Sequence, residues 1–355
     1  MPEDADSAVA ALQESVIRAA QDGEALAITG GGTKSFLGRV SHGAPCSVRA
    51  VQGIVHYEPT ELVVTARAGT SLTELENTLS QSGQILPFEP PGFGEGATIG
   101  GTIACGLSGP CRPYRGAARD FVLGVRCING RGETLRFGGE VIKNVAGYDV
   151  SRLMAGAMGT LGILTEISLK VLPRPACSQT RTFEMPEEPA SELMTSFLGR
   201  SLPVSAAAYL DGVLRVRLSG SEAAVSTAAG ALGGDLEAEG DAFWSQLKEH
   251  CLDFFAHDLP LWRISLKPQN GMMRLPGKTL IDWGGAQYWV KSDAEFEALV
   301  KMVRPYGGYV TGFGGHDQDA RYDVPQDAVL KLNRRLKLAF DPAGILNPGR
   351  LFPQD

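Results

Sequence analysis

The chain has 355 residues, 43% of them apolar and 21% charged, and its 33 basic and 40 acidic side chains leave a formal charge of −7. Such a length predicts two to three domains with a sizeable core, and the apolar share excludes wholesale disorder. The negative balance argues against a general binder of nucleic acid or anionic membrane, because both are polyanions. Glycine is the anomaly: 44 residues, about 12% where roughly 7% is usual. The excess has no period, which excludes collagen, and it gathers at Gly30–Gly32, Gly92–Gly109 and Gly156–Gly162. Glycine clustered in this way marks backbone that must pass very close to something.

The acidic start MPEDADSAVAALQ has no basic stretch before an apolar one, so no secretory signal is expected there. No apolar run approaches the ~18 residues of a membrane span. The cysteines Cys46, Cys105, Cys111, Cys127, Cys177 and Cys251 form no C-x-x-C pair, which reads as reduced thiols in a cytoplasmic protein rather than a metal site.

Apolar Val9, Leu12, Val16 and Ile17 predict a first helix over about 7–21, closed by Gly23. A strand over 25–29 runs directly into GGGTKS, and ELVVTARA (61–68) is a second strand. Ser71 with Glu74 fits a capping box opening a helix that stops at Gly83. From Pro87 to Gly116 regular signals are few, and so long an irregular stretch normally has a function. Strands are expected over 121–128 and 133–137 with an Asn129-Gly130 turn between them, and over 161–172 before Pro173 and Pro175 break the chain. Beyond about residue 176 glycine thins. Strands over 204–210 and 213–218 flank an Asp211-Gly212 hairpin signal; helices are predicted over 222–232, 241–255 and 293–303, and strands over 262–266, 279–282 and 287–290. A last helix covers about 326–340 and precedes Asn347-Pro348-Gly349-Arg350. Trp244, Trp262, Trp283 and Trp289 are expected mostly in core; a partner-facing hot spot is the alternative. Arg334, Arg335 and Lys337 are expected on a solvated face or as counter-charge to a phosphate.

The loop Gly30-Gly31-Gly32-Thr33-Lys34-Ser35 has the composition of an anion-binding concavity, with successive N–H groups supplemented by side-chain donors. A plain turn, with Lys34 facing water, is the competing reading. The spacing meets neither the Walker A pattern nor the G-x-G-x-x-G fingerprint.

Taken in order, GGGTKSFLG (30–38), PTELVVTARAGT (59–70), PPGFGEGATIGGTIACGLSGPCRPYRGAARDFVLG (90–124), GTLGILTEISLKVLPRP (159–175) and DPAGILNPGR (341–350) resemble the FAD-binding fold of the vanillyl-alcohol oxidase and D-lactate dehydrogenase family. The resemblance implies that Gly30, Gly31, Gly32, Thr33, Lys34 and Ser35 hold the pyrophosphate. It implies that Thr98, Ile99, Gly100 and Gly101, with Gly159, Thr160, Gly162 and Ile163, line the adenine, ribose and flavin. Pro91, Ala104, Gly106, Gly109 and Arg112 join them from the long glycine-rich tract, and Asn347, Pro348 and Gly349 return to the same domain. The physical reading agrees: glycine N–H donors answer two phosphate charges, and apolar packing at Ile99, Ile163 and Leu164 answers a planar ring. The implied fold class is α+β, a two-part PCMH-type FAD-binding domain with a smaller mixed α/β cap. The expected limits are 1–173 for the FAD domain (subdomains about 1–52 and 53–173), 174–324 for the cap and 325–355 for the return.

FLGR (36–39), GIVHYEPTELVVTARAGT (53–70), FGGEVIKNVAGYDVSRLMAG (137–156), LWRISL (261–266), LIDWGGAQYW (280–289) and NPGRLF (347–352) extend the resemblance to the FAD-binding subunits of bacterial glycolate oxidase, also called glycolate dehydrogenase. This implies oxidation of a small 2-hydroxy acid, glycolate to glyoxylate, in a complex with a second flavin subunit of the GlcD type and an iron–sulfur subunit of the GlcF type. It places the chain in the cytoplasm, at the inner face of the membrane through its partners. The histidine-rich, acid-containing stretch of the dehydrogenase relatives is missing: His42, His56, His250, His257 and His316 show no i,i+2 or i,i+4 pair. No metal site and no catalytic residue are therefore assigned. Phe36 and Leu37 stand where some members carry a flavin-linking histidine, so FAD is expected to be non-covalent. A self-sufficient dehydrogenase, with Arg263 or Arg274 on the substrate carboxylate and Tyr148 or His316 as base, is one alternative. An assembly subunit that has lost its flavin is another.

Overall fold

A computed structural model describes residues 2–139, 149–256, 258–267, 273–314, 322–323 and 327–352, with side chains from Ala5 onward. The chain separates into two compact units: residues 1–107, 117–173 and 324–355 form the first, 108–116 and 174–323 the second.

The first unit begins with the helix Pro2–Asp22, one turn longer at its start than periodicity predicts. Strand Leu26–Thr29 follows and pairs in parallel with Ala44–Ser47. The C-terminal segment adds to the same edge: Leu26 N–H donates to the Ile345 carbonyl at 2.7 Å, and Asn347 N–H to the Leu26 carbonyl at 3.0 Å. Val16, Leu26, Val48, Ile128, Ile163 and Leu346 close a core around this pair. Beside it lies an antiparallel sheet in the order Ile54–Glu58, Val63–Arg67, Ile163–Lys170, Val122–Ile128, Thr134–Gly138. Helix Leu72–Gln81 starts where the sequence places it, with Ser71 Oγ accepting from Glu74 N–H at 3.5 Å. Its Leu75 and Leu79 pack with Ile99, Ile103, Ile167 and Leu169 in the sheet's core.

Three expectations need correction here. The stretch 87–116 contains the helix Ile99–Cys105, capped by Thr98 at its start and by left-handed Gly106 at its end, and the short helix Arg112–Arg115. Gly100 hides the first of these from a propensity reading, yet packing requires it: a Cβ there would lie 2.7 Å from the Ala68 carbonyl oxygen. The Asn129-Gly130 pair is not a two-residue turn, because the ladder closes at Ile128 and Thr134. The Asn129 carboxamide oxygen instead accepts from Arg131 and Glu133 N–H at 2.9 and 3.0 Å and organises a longer loop. Lys337 is not on a solvated face: its ammonium donates to the Thr160 and Leu346 carbonyls at 2.9 and 2.7 Å and to Asp341, tying the last helix, Asp327–Phe340, to the chain end.

The second unit is built on an antiparallel sheet in the order Asp235–Leu236, Cys177–Glu184, Val213–Gly220, Val204–Leu210, Lys278–Asp282, Gln287–Lys291, Leu261–Ser265, Tyr309–Gly312. Asp211 and Gly212, with φ of 50° and 84°, form the two-residue hairpin that their sequence predicts. Helices Glu187–Phe197, Glu222–Leu232 and Phe296–Val303 cover one face, burying Met194, Phe197, Val216, Ile264, Ile281, Val290 and Leu299. Strands Cys177–Glu184 and Tyr309–Gly312 and helix Glu187–Phe197 were not expected; their alternation is broken by threonine, serine and proline, and the neighbouring strands decide them. The helix expected over 241–255 ends at Glu249, where His250 turns left-handed at φ 56°, and resumes as a single turn Asp253–Ala256. All four tryptophans are buried.

Candidate functional site

A cleft open to solvent lies in the first unit. Its wall is mostly main chain. Strand Leu26–Thr29 delivers Gly30–Ser35 to one side; Thr98, Gly100, Gly101, Ala104 and Cys105 form another; Met158, Gly159, Gly162 and Leu164 a third; and Asn347 and Arg350 complete it. The glycines are dictated by closeness. A Cβ on Gly31 would stand 1.5 Å from the Gly96 carbonyl oxygen, and one on Gly30 would stand 2.5 Å from Thr98 Oγ1. Thr98 Oγ1 also accepts from Gly101 N–H at 3.2 Å, which fixes the helix start beside the loop. Gly159, at φ 74°, leaves room for Asn347 Nδ2, which donates to the Met158 carbonyl at 2.7 Å. Asn347 Oδ1 accepts from Ile28 N–H at 2.7 Å, so one carboxamide joins two walls.

Lys34 does not face water. It is 6% exposed, and its ammonium donates to the Gly92 carbonyl at 3.1 Å and lies 5.7 Å from the centre of the Phe93 ring. Arg350, which the sequence reading missed, donates to the Arg39 and Ser35 carbonyls at 2.9 and 3.2 Å. No aspartate or glutamate is among the residues that line the cavity. Burial pushes the Cys105 thiol pKa up, while Lys34 and Arg350 pull it down. Ser41, also missed, lines the cavity with a buried hydroxyl that has no partner among the described residues. A serine among glycines carries no spacing signal, so only the fold could have found it.

The structure thus gathers Gly30, Gly31, Gly32, Thr33, Lys34, Ser35, Thr98, Gly100, Gly101, Ala104, Gly159, Gly162 and Asn347 around one space. Other expected residues stand elsewhere. Ile99 and Ile163 are fully buried in the two cores and support the wall without lining it; of the three apolar residues expected there, Leu164 does. Pro91 is buried outside the lining, and Gly106 closes its helix against the Gly156 backbone. Thr160, Pro348 and Gly349 line a separate cavity beside the last helix. Gly109 and Arg112 belong to the second unit, where Trp283 Nε1 donates to the Gly109 carbonyl at 3.0 Å and the Arg112 guanidinium stacks 4.4 Å from the Trp283 ring centre. Tyr148, His257 and His316 lie outside the described residues.

An elongated dinucleotide fits this space chemically. Bare main-chain N–H groups and two cations suit a diphosphate. The orphan Ser41 hydroxyl needs a polar partner, and Ile28, Val48, Ala68 and Leu164 offer apolar surface to a ring.

Comparison with known proteins agrees. The FAD binding domain family matches residues 7–138, and the C-terminal domain of FAD linked oxidases matches residues 286–351. The chain is 49% identical over 345 residues to "Glycolate oxidase subunit GlcE" of Escherichia coli (strain K12), covering 97% of each chain. It is 33% identical over 127 residues to "Glycolate oxidase subunit GlcD" of Bacillus subtilis (strain 168), covering 36% of this chain and 27% of that one. Among solved structures, an alkyldihydroxyacetonephosphate synthase superposes with a TM-score of 0.67 at 17% identity, over 95% of this chain and 74% of the other. At that identity the likeness carries the fold alone: α+β, of the PCMH-type FAD-binding class.

Proposed function

The chain belongs to the family of FAD-linked oxidases, and from that premise we propose that it serves as an FAD-carrying subunit of a glycolate oxidase complex that converts glycolate to glyoxylate. The observation that carries this reading is the glycine-walled cavity, lined by Lys34 and Arg350 and by a Ser41 hydroxyl that has no partner among the described residues, in a chain similar to GlcE over 97% of both lengths. When bound, FAD supplies a two-electron acceptor for the hydride equivalent that leaves the hydroxyl-bearing carbon.

The protein's own groups hold and shield that cofactor. Gly30–Ser35 presents N–H donors to the diphosphate, with Lys34 as fixed counter-charge. Gly100, Gly101, Gly159 and Gly162 let main chain approach the rings, and Asn347 locks the strand that carries the loop. FAD is held without a covalent bond, since Phe36 and Leu37 follow Ser35 where a linking histidine would stand. Substrate oxidation falls to a second flavin subunit resembling GlcD, and electrons leave through an iron–sulfur subunit. No group of three His, Cys, Asp or Glu side chains able to hold a metal occurs among the described residues. No helix among them is long and apolar enough to cross a membrane, so attachment to the inner membrane face runs through partners.

A spectrum of the purified chain tests this reading. Flavin bands near ~450 nm are expected, with the chromophore released into the supernatant by acid precipitation. Flavin that stays in the pellet means a covalent bond; its absence from the native protein refutes the cofactor assignment. Anaerobic glycolate should leave the bands unbleached until the second flavin subunit is added.

A further inference from the structure

The last helix of the first unit shows more apolar surface than its own fold covers. Helix Asp327–Phe340 fully buries none of its residues. Val329, Leu332, Leu336 and Phe340 stand at i, i+3, i+7 and i+11 and form one stripe. Leu336 and Phe340 rest on the core of the five-stranded sheet. Val329 and Leu332 continue the stripe but are 47% and 58% exposed, and Leu338, on another side of the helix, is 63% exposed.

The stripe leads into a groove. Leu336 and Leu338 line it together with Leu153, Leu161, Leu351 and Phe352. The one carboxylate in its lining, Asp341, is engaged by the protein itself: it accepts from Lys337 and from Ile345 and Leu346 N–H at 3.2 and 2.8 Å. Lys331, Arg334 and Arg335 stand exposed on the helix. The helix thus carries four basic residues against one acidic, in a chain whose formal charge is −7.

We propose that this groove seats an acidic amphipathic helix of a partner polypeptide, its apolar side chains on Leu153, Leu336 and Leu338 and, one turn further along, on Leu332. Its carboxylates meet Lys331, Arg334 and Arg335. The local positive charge selects an acidic occupant. Shape selects a helix: no strand residue lines the groove, so an extended segment would find no sheet edge for its main chain, whereas a helix satisfies its own. A flat bilayer does not fill a concavity, and the net negative chain is repelled by an anionic one. A symmetric contact between two copies would set basic helix against basic helix. The acidic first helix of a second copy already keeps Leu12 and Val16 in its own core. The surface rests on the functional reading only for the choice of partners to test.

The full-length chain, tagged and produced together with the second flavin subunit and the iron–sulfur subunit, tests the proposal. The wild type should recover a partner. Leu338→Asp should lower that recovery about tenfold or more, as for a central interface residue, with the flavin content and thermal midpoint of the isolated chain unchanged. Lys331→Glu combined with Arg335→Glu should cost about tenfold at low salt and much less at high salt, because rim charges are screened. If Leu338→Asp lowers the midpoint, Leu332→Asp reads the same contact. Equal recovery by wild type and variants overturns the groove and leaves the functional reading standing. If the wild type recovers neither subunit, the reading of a complex fails, and a fluorescein-labelled peptide of Glu and Leu with leucines at i, i+3, i+4 and i+7 decides the groove: saturable binding that Leu338→Asp abolishes upholds it, and no binding overturns it. Variants that instead lose self-association in sedimentation, or lose binding to phosphatidylglycerol vesicles, replace the partner helix by a second copy or by lipid and overturn the proposal.

Discussion

In the first unit the candidate site is walled by main chain: Gly31 passes within contact of Gly96, Gly100 of Ala68, and Gly159 of Asn347. In the second unit the chemistry lies on side chains standing on an antiparallel sheet. There Arg215 lies 4.3 Å from the Phe243 ring centre, Arg217 lies 5.4 Å from that of Trp244, and Arg112 and Arg263 face aromatic rings likewise. A main-chain wall is intolerant of any added atom but indifferent to side-chain identity elsewhere. A side-chain wall tolerates backbone variation yet depends on which residues share a face. The first kind announces itself through glycine; the second is visible only once strand register is known.

If that contrast holds, the largest effect belongs to Gly31→Val. Its Cβ meets the Gly96 carbonyl rather than the ligand alone, so both loops must part. Flavin affinity should fall by more than the roughly 150-fold upper bound for one charge-assisted hydrogen bond, measured as flavin retained on gel filtration. Undiminished flavin would break the idea of a main-chain wall.

Next comes Asn347→Ala, which strands Ile28 N–H and the Met158 carbonyl in a buried site. A loss of about 2–4 kcal/mol is expected, read by urea unfolding; a loss under about 1 kcal/mol would mean water replaces the carboxamide.

His250 sharpens the contrast from the side-chain end. Its ring stacks on Phe255 at 4.0 Å and meets Trp289 and Phe313 edgewise or tilted. Burial, then Arg263 and Lys291, hold its pKa down at about 3. Since the folded value is depressed, only the unfolded chain takes up a proton as pH falls below about 6.5, and stability drains from there toward pH 3. At pH 5 the loss should be about 2 kcal/mol, and His250→Asn, which tolerates the left-handed backbone, should flatten that slope. An unchanged slope would place the acid sensitivity elsewhere.

The smallest effect is Ser41→Ala. Its orphan hydroxyl stabilises nothing in the protein alone, so the thermal midpoint of the flavin-free chain should not fall. Flavin affinity should drop about tenfold, the value of one net hydrogen bond. A fall in the midpoint with affinity intact would make Ser41 structural.

The elements with strong periodicity were legible from residues alone, as Glu222–Leu232 and the Asp211-Gly212 hairpin show. Helix Ile99–Cys105 was not, because Gly100 and Gly101 at its start lower propensity, while Gly100 serves a contact with Ala68 that lies far away in sequence. The same limit separates Leu164, which lines the cavity, from Ile163, which the pleat turns into the core.

What the sequence determined by itself is the chemistry of the first site: glycine clusters in a fixed order restrict where main chain can approach main chain or ligand, and that restriction is local. Tertiary structure alone decided the rest. Lys34 became a buried cation, Ser41 and Arg350 entered the site, and Gly109 and Arg112 left it for the second unit. Each of these depends on burial or register set by contacts distant in sequence, and a side chain's charge or hydroxyl acquires a function only when such contacts deny it water or a partner.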